Sequence, residues 1–308
     1  MRIVVVGGGA LGQAYASCLV QAGAELALLE PTSAGPRDLH VVRRSACRAR
    51  RHDFRVPTLL EAGSHCDLLL VAVRAEQLDG LSEPVLACAA PMVVLPPLMP
   101  QQLERLVRAR RSAPVVVAMA SLLAWRKRET VSYRAAPFTK TLLDDAPNAG
   151  DRIVRFAELL RRGGVRARVQ QGVAERNQAT TTAFFATQLA LCAAGGAARL
   201  ARSPRLLRAY DAANRELRQL AHTLGPIEPG IRLLSRWSTP WQVQMLLGAA
   251  GWLVPASTAF LDDHFAVKLR AQHRALASEL WQLGQQRGLP LQALSRLLEE
   301  SEHRDRQP

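Results

Sequence analysis

Residues 7–12 read Gly7-Gly8-Gly9-Ala10-Leu11-Gly12 and directly follow the apolar run of residues 3–6. Gly7, Gly9 and Gly12 fit the spacing G-x-G-x-x-G, a pattern that carries chemistry when a strand runs into it and a helix runs out of it. In that setting the first glycine permits a tight turn, the second lets a pyrophosphate come up against the backbone, and the third lets helix and strand pack closely. The free N–H groups and the positive dipole end of the helix then face the phosphates. Gly7, Gly8, Gly9, Ala10, Leu11 and Gly12 are therefore the candidate cofactor loop. Glu30 stands 18 positions after Gly12, closing the next apolar run. A carboxylate there accepts hydrogen bonds from the adenosine ribose hydroxyls and repels a 2′-phosphate, which favours NAD. The arginine cluster downstream (Arg43, Arg44, Arg48, Arg50, Arg51 and Arg55) reads either as a solvated face or as a phosphate-binding edge, and the second reading would favour NADP. The expected cofactor is NAD or NADP, with a lean to NAD that rests on Glu30.

Two sets of residues could do chemistry on a substrate. His264, Lys268 and Gln272 fall at i, i+4 and i+8 within residues 261–281, which read as a long helix, so they share one face. Asp262 and Asp263 come immediately before. Histidine hands over protons near neutral pH, and a desolvated lysine does so as well. The other reading of this face is a solvated surface of helix-pair charges. The second set, Glu175, Arg176, Asn177, Gln178, Thr180, Thr181 and Thr182, opens a helix. Asn177 and the threonines, Thr181 among them, can orient a carbonyl or carboxylate, and Arg176 can pair with a carboxylate. Capping of a helix start is the alternative.

The elements that must position these groups change character along the chain. Residues 2–6, 25–29, 67–73, 92–95 and 114–119 read as strands. Helical patterns over 14–22 and 76–89 separate several of them. Strands alternating with helices argue for a doubly wound parallel sheet. A helix runs from Asp151 to Arg162, is ended by Gly163-Gly164, and precedes one last strand at 165–169. Beyond residue 172 only helical patterns remain. The expected organisation is a dinucleotide-binding (Rossmann-type) α/β domain over 1–170 and an all-helical domain over 171–308.

Composition bounds the rest. The chain has 308 residues, 48% of them hydrophobic and 21% charged, which excludes disorder and gives ample core. Its net charge is +14, and of its 40 basic residues only Lys127, Lys140 and Lys268 are lysine. Nucleic-acid binders concentrate such charge on one face and add stacking aromatics. Here arginine is scattered along the whole chain and aromatics are 5%, so no nucleic-acid partner is expected. The five cysteines are widely spaced and lack any CxxC, which indicates neither a zinc site nor a disulfide framework. No metal is expected. The uncharged stretches 179–198 and 238–261 reach spanning length, but glycine, glutamine and proline interrupt them, so both read as core helices rather than membrane spans. The N-terminal apolar run breaks into glycines and does not read as a signal peptide. The expected location is the cytoplasm.

The segments GGGALGQ at residues 7–13 and CDLLLVAVRAEQL at 66–78 resemble the ketopantoate reductase (2-dehydropantoate 2-reductase) family. Gly288-Leu289-Pro290 is similar to that family's C-terminal helix ending, and the layout agrees across the whole chain. The resemblance implies that Arg74, after the second segment, reaches the cofactor. It also implies a loop asparagine, which falls on Pro97, and a general-acid lysine on the first helix of the second domain, which falls near Ala179. A substrate-facing glutamate falls near Gln272, and carboxylate-binding serines fall near residues 258–260. The cofactor half thus matches, and the polar positions of the catalytic half are changed. Ketone reduction needs a hydride on carbon and a proton on oxygen, and alanine cannot supply the proton. Lys268, His264 and Gln272 are the candidate replacements, with Asn177, Thr181 and Asp263 as candidate substrate contacts. The resemblance implies an NAD(P)-dependent reductase of a 2-keto acid or related carbonyl or imine, working in an interdomain cleft, with a homodimer as a further expectation. The alternative is a dinucleotide-binding sensor or partner protein of the same fold that has lost catalysis.

Overall fold

The computed structural model describes residues 1–30, 35–45, 48–59, 66–110, 113–135, 139–236, 239–245 and 270–305. The chain divides into two compact units, Met1–Ala174 and Glu175–Pro308.

The first unit is built on a sheet of eleven strands: β1 (Arg2–Val6), β2 (Glu25–Leu29), β3 (Gly35–Arg44), β4 (Ala49–Leu59), β5 (Leu68–Val71), β6 (Met92–Val94), β7 (Val115–Met119), β8 (Leu122–Lys127), β9 (Thr130–Ala135), β10 (Thr141–Asp144) and β11 (Ala167–Gln170). Their order is β11-β10-β7-β6-β5-β1-β2-β4-β3-β9-β8. The run from β7 to β4 is parallel throughout. Helices α1 (Ala10–Gln21), α2 (Glu83–Leu86), α3 (Pro100–Ala109) and α4 (Asp151–Arg162) accompany it. β1 shows why its sequence is apolar at every second position and again between: it is buried on both faces. Ile3 and Val5 enter one core with Tyr15, Leu19, Phe156 and Leu160 from α1 and α4. Val4 and Val6 enter another with Leu98 and with Leu106 from α3.

The structure corrects the sequence reading in two places. The helix expected over 76–89 is instead a 3-10 turn, Ala75–Gly80, followed by the single turn of α2. Gly80 and Pro84 account for this: proline lacks an N–H and biases the residue before it away from the helical region, so no continuous helix forms. The arginine cluster lies on an antiparallel hairpin of β3 and β4 that extends the sheet beyond its parallel centre. Leu39, Val41 and Val56 from this hairpin are buried at alternate positions, while Arg43, Arg44, Arg50, Arg51 and Arg55 face outward. Arg43 and Arg50 stand directly opposite each other, a pairing of like charges that is unfavourable by itself. Arg43 turns its guanidinium to the Gly164 carbonyl, 3.2 Å away, and Arg51 pairs with Asp53 at 2.8 Å.

The described residues of the second unit are helical: α5 (Val173–Ala194), which begins at the end of the first unit, then α6 (Ala197–Ala201), α7 (Pro204–Leu224), α8 (Pro229–Arg236), α9 (Arg270–Gln286) and α10 (Gln292–Asp305). Beyond Arg176, α5 is buried nearly all round, which suits a sequence without charge from Asn177 to Ala194. α7 packs on α10, and Glu216 from α7 accepts hydrogen bonds from the N–H groups of Ala293 (2.9 Å) and Leu294 (3.0 Å), capping that helix. Among the described residues no helix is long and apolar enough to cross a membrane.

Candidate functional site

The glycine loop forms because β1 ends where β5 and α1 crowd it. Gly7 has φ +106, a left-handed conformation that costs a side chain dearly. A Cβ there would also lie 3.0 Å from the backbone of Ala72 and Val73 at the end of β5. A Cβ on Gly12 would collide with the Gly7 carbonyl oxygen. A Cβ on Gly9, by contrast, would meet nothing within 4 Å. The loop is therefore tight against the sheet at Gly7 and Gly12 and open at Gly9, as an approaching phosphate group requires. The start of α1 has no side-chain cap and no acidic residue in its first turn, so its first N–H groups remain available. Ala10 and Leu11 open that turn. These features fit a dinucleotide pyrophosphate.

The peptide carbonyl of Gly8 is held by two donors, Nε2 of Gln13 at 2.9 Å and a guanidinium nitrogen of Arg126 at 2.7 Å. Glu30, at the end of β2, lies against Gly8, where a Cβ would strike its carboxylate. Arg37 of β3 pairs closely with that carboxylate. Burial, and then the charge of Arg37, pull the Arg126 guanidinium below its ordinary value, while Glu30 opposes the shift. Two guanidiniums and one carboxylate thus meet at the loop, and the local balance is positive. Arg37 and Arg126 were not singled out from sequence. Arg37 sits in the missed hairpin, and Arg126 comes from β8, 118 residues from Gly8, so no local spacing could link them.

Arg74 follows the end of β5 and begins the 3-10 turn Ala75–Gly80. Its side chain is half-exposed and 3.7 Å from the Glu76 carboxylate. Gly7, Glu30 and Arg74 therefore all lie at the carboxyl ends of neighbouring parallel strands β1, β2 and β5, where open α/β sheets bind ligands. The segment carrying Pro97 follows β6 as a buried apolar loop, with Leu98 and Met99 almost without exposure.

In the second unit Asn177 and Thr181 come together on α5, with the Thr181 hydroxyl donating to Oδ1 of Asn177 at 3.3 Å. Asn177, Gln178, Thr180 and Thr182 are all buried. The Thr180 hydroxyl accepts from the Glu228 N–H at 3.0 Å, and Thr182 bonds back to the Gln178 carbonyl at 2.8 Å. Arg176 lies 3.7 Å from the Glu228 carboxylate. Ala179, in the middle of this polar set, is fully buried. Gln272 falls within α9, while Asp263, His264 and Lys268 lie outside the described residues. Among the described residues no cluster of histidine, cysteine or acidic side chains could hold a metal.

A glycine loop at the carboxyl ends of parallel strands defines this class: proteins with a Rossmann-type α/β half and a helical second half. Residues 3–134 match the family model described as ketopantoate reductase PanE/ApbA. None of the curated protein sequences matches the chain. Among solved structures, a 2-dehydropantoate 2-reductase from Geobacter metallireducens is similar at a TM-score of 0.70 and 18% identity, covering 99% of this chain and 100% of that one. A dimeric ketopantoate reductase from Staphylococcus aureus is similar at 0.68 and 11%, covering 98% of each chain. A D-mandelate dehydrogenase solved with NADH and anilino(oxo)acetate is similar at 0.68 and 14%, again covering 98% of each. The sequence signature of the ketopantoate reductase model thus lies within residues 3–134, and the likeness over the whole chain is one of fold.

Proposed function

We propose that this protein is an NAD(P)H-dependent oxidoreductase that reduces a 2-keto acid, or a related carbonyl or imine. The observation that carries this reading is the glycine loop, tight at Gly7 and Gly12 and open at Gly9, in front of an uncapped helix at the carboxyl ends of three parallel strands. The nicotinamide, when bound, supplies the hydride. The chain's own residues hold and orient. The first-turn N–H groups of α1 take the pyrophosphate, and Arg74 takes a cofactor phosphate or ribose at the end of β5. Asn177 and Thr181 orient the substrate, with Asp263 as a further contact. His264 and Lys268 are the candidates to deliver the proton to the reduced oxygen, and Gln272 is the candidate to position it.

The cofactor reading shifts from the sequence expectation. Glu30 is engaged by Arg37, and Arg126 approaches the same loop, so the site presents net positive charge. A 2′-phosphate suits two guanidiniums better than a ribose hydroxyl does. NADPH is therefore the favoured donor. Fluorescence titration with NADPH and NADH tests this: tighter binding of NADPH is expected, and equal or weaker binding refutes it. Oxidation assays with keto acids and imines then test the reaction. His264→Ala and Lys268→Ala should each be assayed on any substrate turned over; unchanged rates in both remove these residues from the proton-transfer role.

A second reading is a dinucleotide-binding protein without turnover. It is favoured by the buried alanine and apolar loop at Ala179 and Leu98. Nucleotide binding with no oxidation of any substrate would select it. A homodimer is part of both readings, and the solution mass decides that point.

A further inference from the structure

Cys66 and Cys88 are 22 residues apart in sequence, yet their Sγ atoms lie 3.4 Å from each other. The sheet brings this about. β5 and β6 are neighbours in parallel register, with Leu69 opposite Met92. Cys66 lies just upstream of the one strand and Cys88 just upstream of the other, so both stand at the amino ends of these strands, away from the glycine loop. Arg110 fixes the second sulfur's backbone. Its buried guanidinium donates to the carbonyls of Val85 at 2.8 Å, Cys88 at 2.9 Å, and Ala90. Its Nε has no hydrogen-bond partner, and burial pulls this guanidinium below its ordinary value while Cys88 and Cys66 oppose the shift. Cys66 and Cys88 are half-buried, whereas Cys18 and Cys192 are buried.

We propose that Cys66 and Cys88 are a redox modification site: a dithiol that closes to a disulfide when a peroxide takes two electrons from it. A sulfur held against another sulfur has its partner in reach, so a sulfenic acid formed on either one is met by the other. The thiolate of one cysteine attacks one oxygen of hydrogen peroxide, the O–O bond breaks, and that cysteine becomes a sulfenic acid as hydroxide leaves. The other sulfur then attacks the sulfenic sulfur, the S–S bond forms, the S–O bond breaks, and water leaves. Two thiol hydrogens and two electrons pass to the peroxide, which ends as two waters. The bond ties the approaches of β5 and β6 and closes the loop that carries Arg74. It removes conformations from the unfolded chain, and so the oxidised form melts several degrees higher.

The test uses the full chain. After a short exposure to hydrogen peroxide and quenching, free thiols are counted in denaturant and crosslinked peptides are mapped by mass spectrometry. The expected result is a fall from five thiols to three, a peptide joining Cys66 to Cys88, and full reversal with dithiothreitol. Cys66→Ser and Cys88→Ser should each show no crosslinked peptide, and in at least one of them the remaining cysteine of the pair should be trappable as a sulfenic acid by a dione reagent. Five thiols persisting, a bond mapped to other cysteines, or either cysteine driven to sulfinic acid in the wild type without a crosslink would each overturn the proposal. If the serine variants do not fold, the wild-type peptide map decides alone.

Discussion

At Gly12 there is no room for even one carbon, because the Gly7 carbonyl oxygen occupies the place a Cβ would take. Gly12→Ala must push α1 away from β1, and nucleotide affinity should fall at least tenfold in a titration, with the fold retained by circular dichroism. The opposite sensitivity belongs to the charged trio beside the loop. Arg37→Ala and Arg126→Ala each remove a positive charge from the Glu30 neighbourhood, so the ratio of NADPH to NADH affinity should drop by about an order of magnitude, the cost of one charge-assisted hydrogen bond. An unchanged ratio in both variants would place the 2′-phosphate elsewhere. Tyr15 shows the same logic in the core. Its hydroxyl lies 2.7 Å from the Thr141 hydroxyl and accepts from the Ser121 N–H at 3.3 Å, and burial pushes it up to about 12. Tyr15→Phe leaves these partners without it in a dry site and should cost about 1–3 kcal/mol in urea unfolding.

Among the elements, the β3–β4 hairpin decides more than its arginine-rich sequence suggests. It delivers Arg37 to Glu30, and it delivers His52 to α1, where the ring nitrogen Nδ1 lies 2.9 Å from the Ser17 hydroxyl and the ring stacks on Phe54. Burial holds His52 below the ordinary histidine value, although the Asp53 carboxylate pulls the other way. The unfolded chain therefore binds the proton more readily than the folded one, in the pH window beneath about 6.5. Stability rises with pH through that window and is lost as pH falls. Urea unfolding at pH 7 and pH 5 should show a larger acid loss for the wild type than for His52→Gln; equal losses would show that His52 carries none of it. The hairpin was legible in principle, since Leu39, Val41, Phe54 and Val56 alternate with polar residues. The density of arginine covers that period with a stronger signal of charge. The 3-10 turn over Ala75–Gly80 is hidden for a different reason: the apolar spacing of residues 76–89 is helical, and only Gly80 and Pro84 overrule it.

For the whole molecule, ligand binding and stability are linked. A nucleotide that binds only the folded chain, present at about a hundred times its Kd, adds about 2.7 kcal/mol, which is several degrees in melting temperature. NADPH should raise the melting temperature of the wild type more than NADH at equal concentration, and this difference should vanish in the Arg37→Ala, Arg126→Ala double variant. No shift with either nucleotide would remove the cofactor reading altogether. The scattered arginines take their meaning at this scale. Most serve as solvated faces and local ion pairs, such as Arg2 with Glu25 and Arg105 with Asp79, while Arg110 is buried among backbone carbonyls.

The parallel centre of the sheet, the glycine loop, the helix Asp151–Arg162 and the helical character of the second half are all legible in the sequence. Each of these is written in contiguous residues: an apolar run, a glycine spacing, a helical period ended by Gly163-Gly164. What stands beside the loop, and what stands beside Cys66, follows from how distant segments fold together. Arg126 reaches Gly8 across 118 residues, and Cys66 meets Cys88 only because β5 and β6 are adjacent in parallel register. Local spacing fixes which face of an element a residue occupies. Which elements become neighbours is set by the burial of both sheet faces at once, and no single segment contains that information.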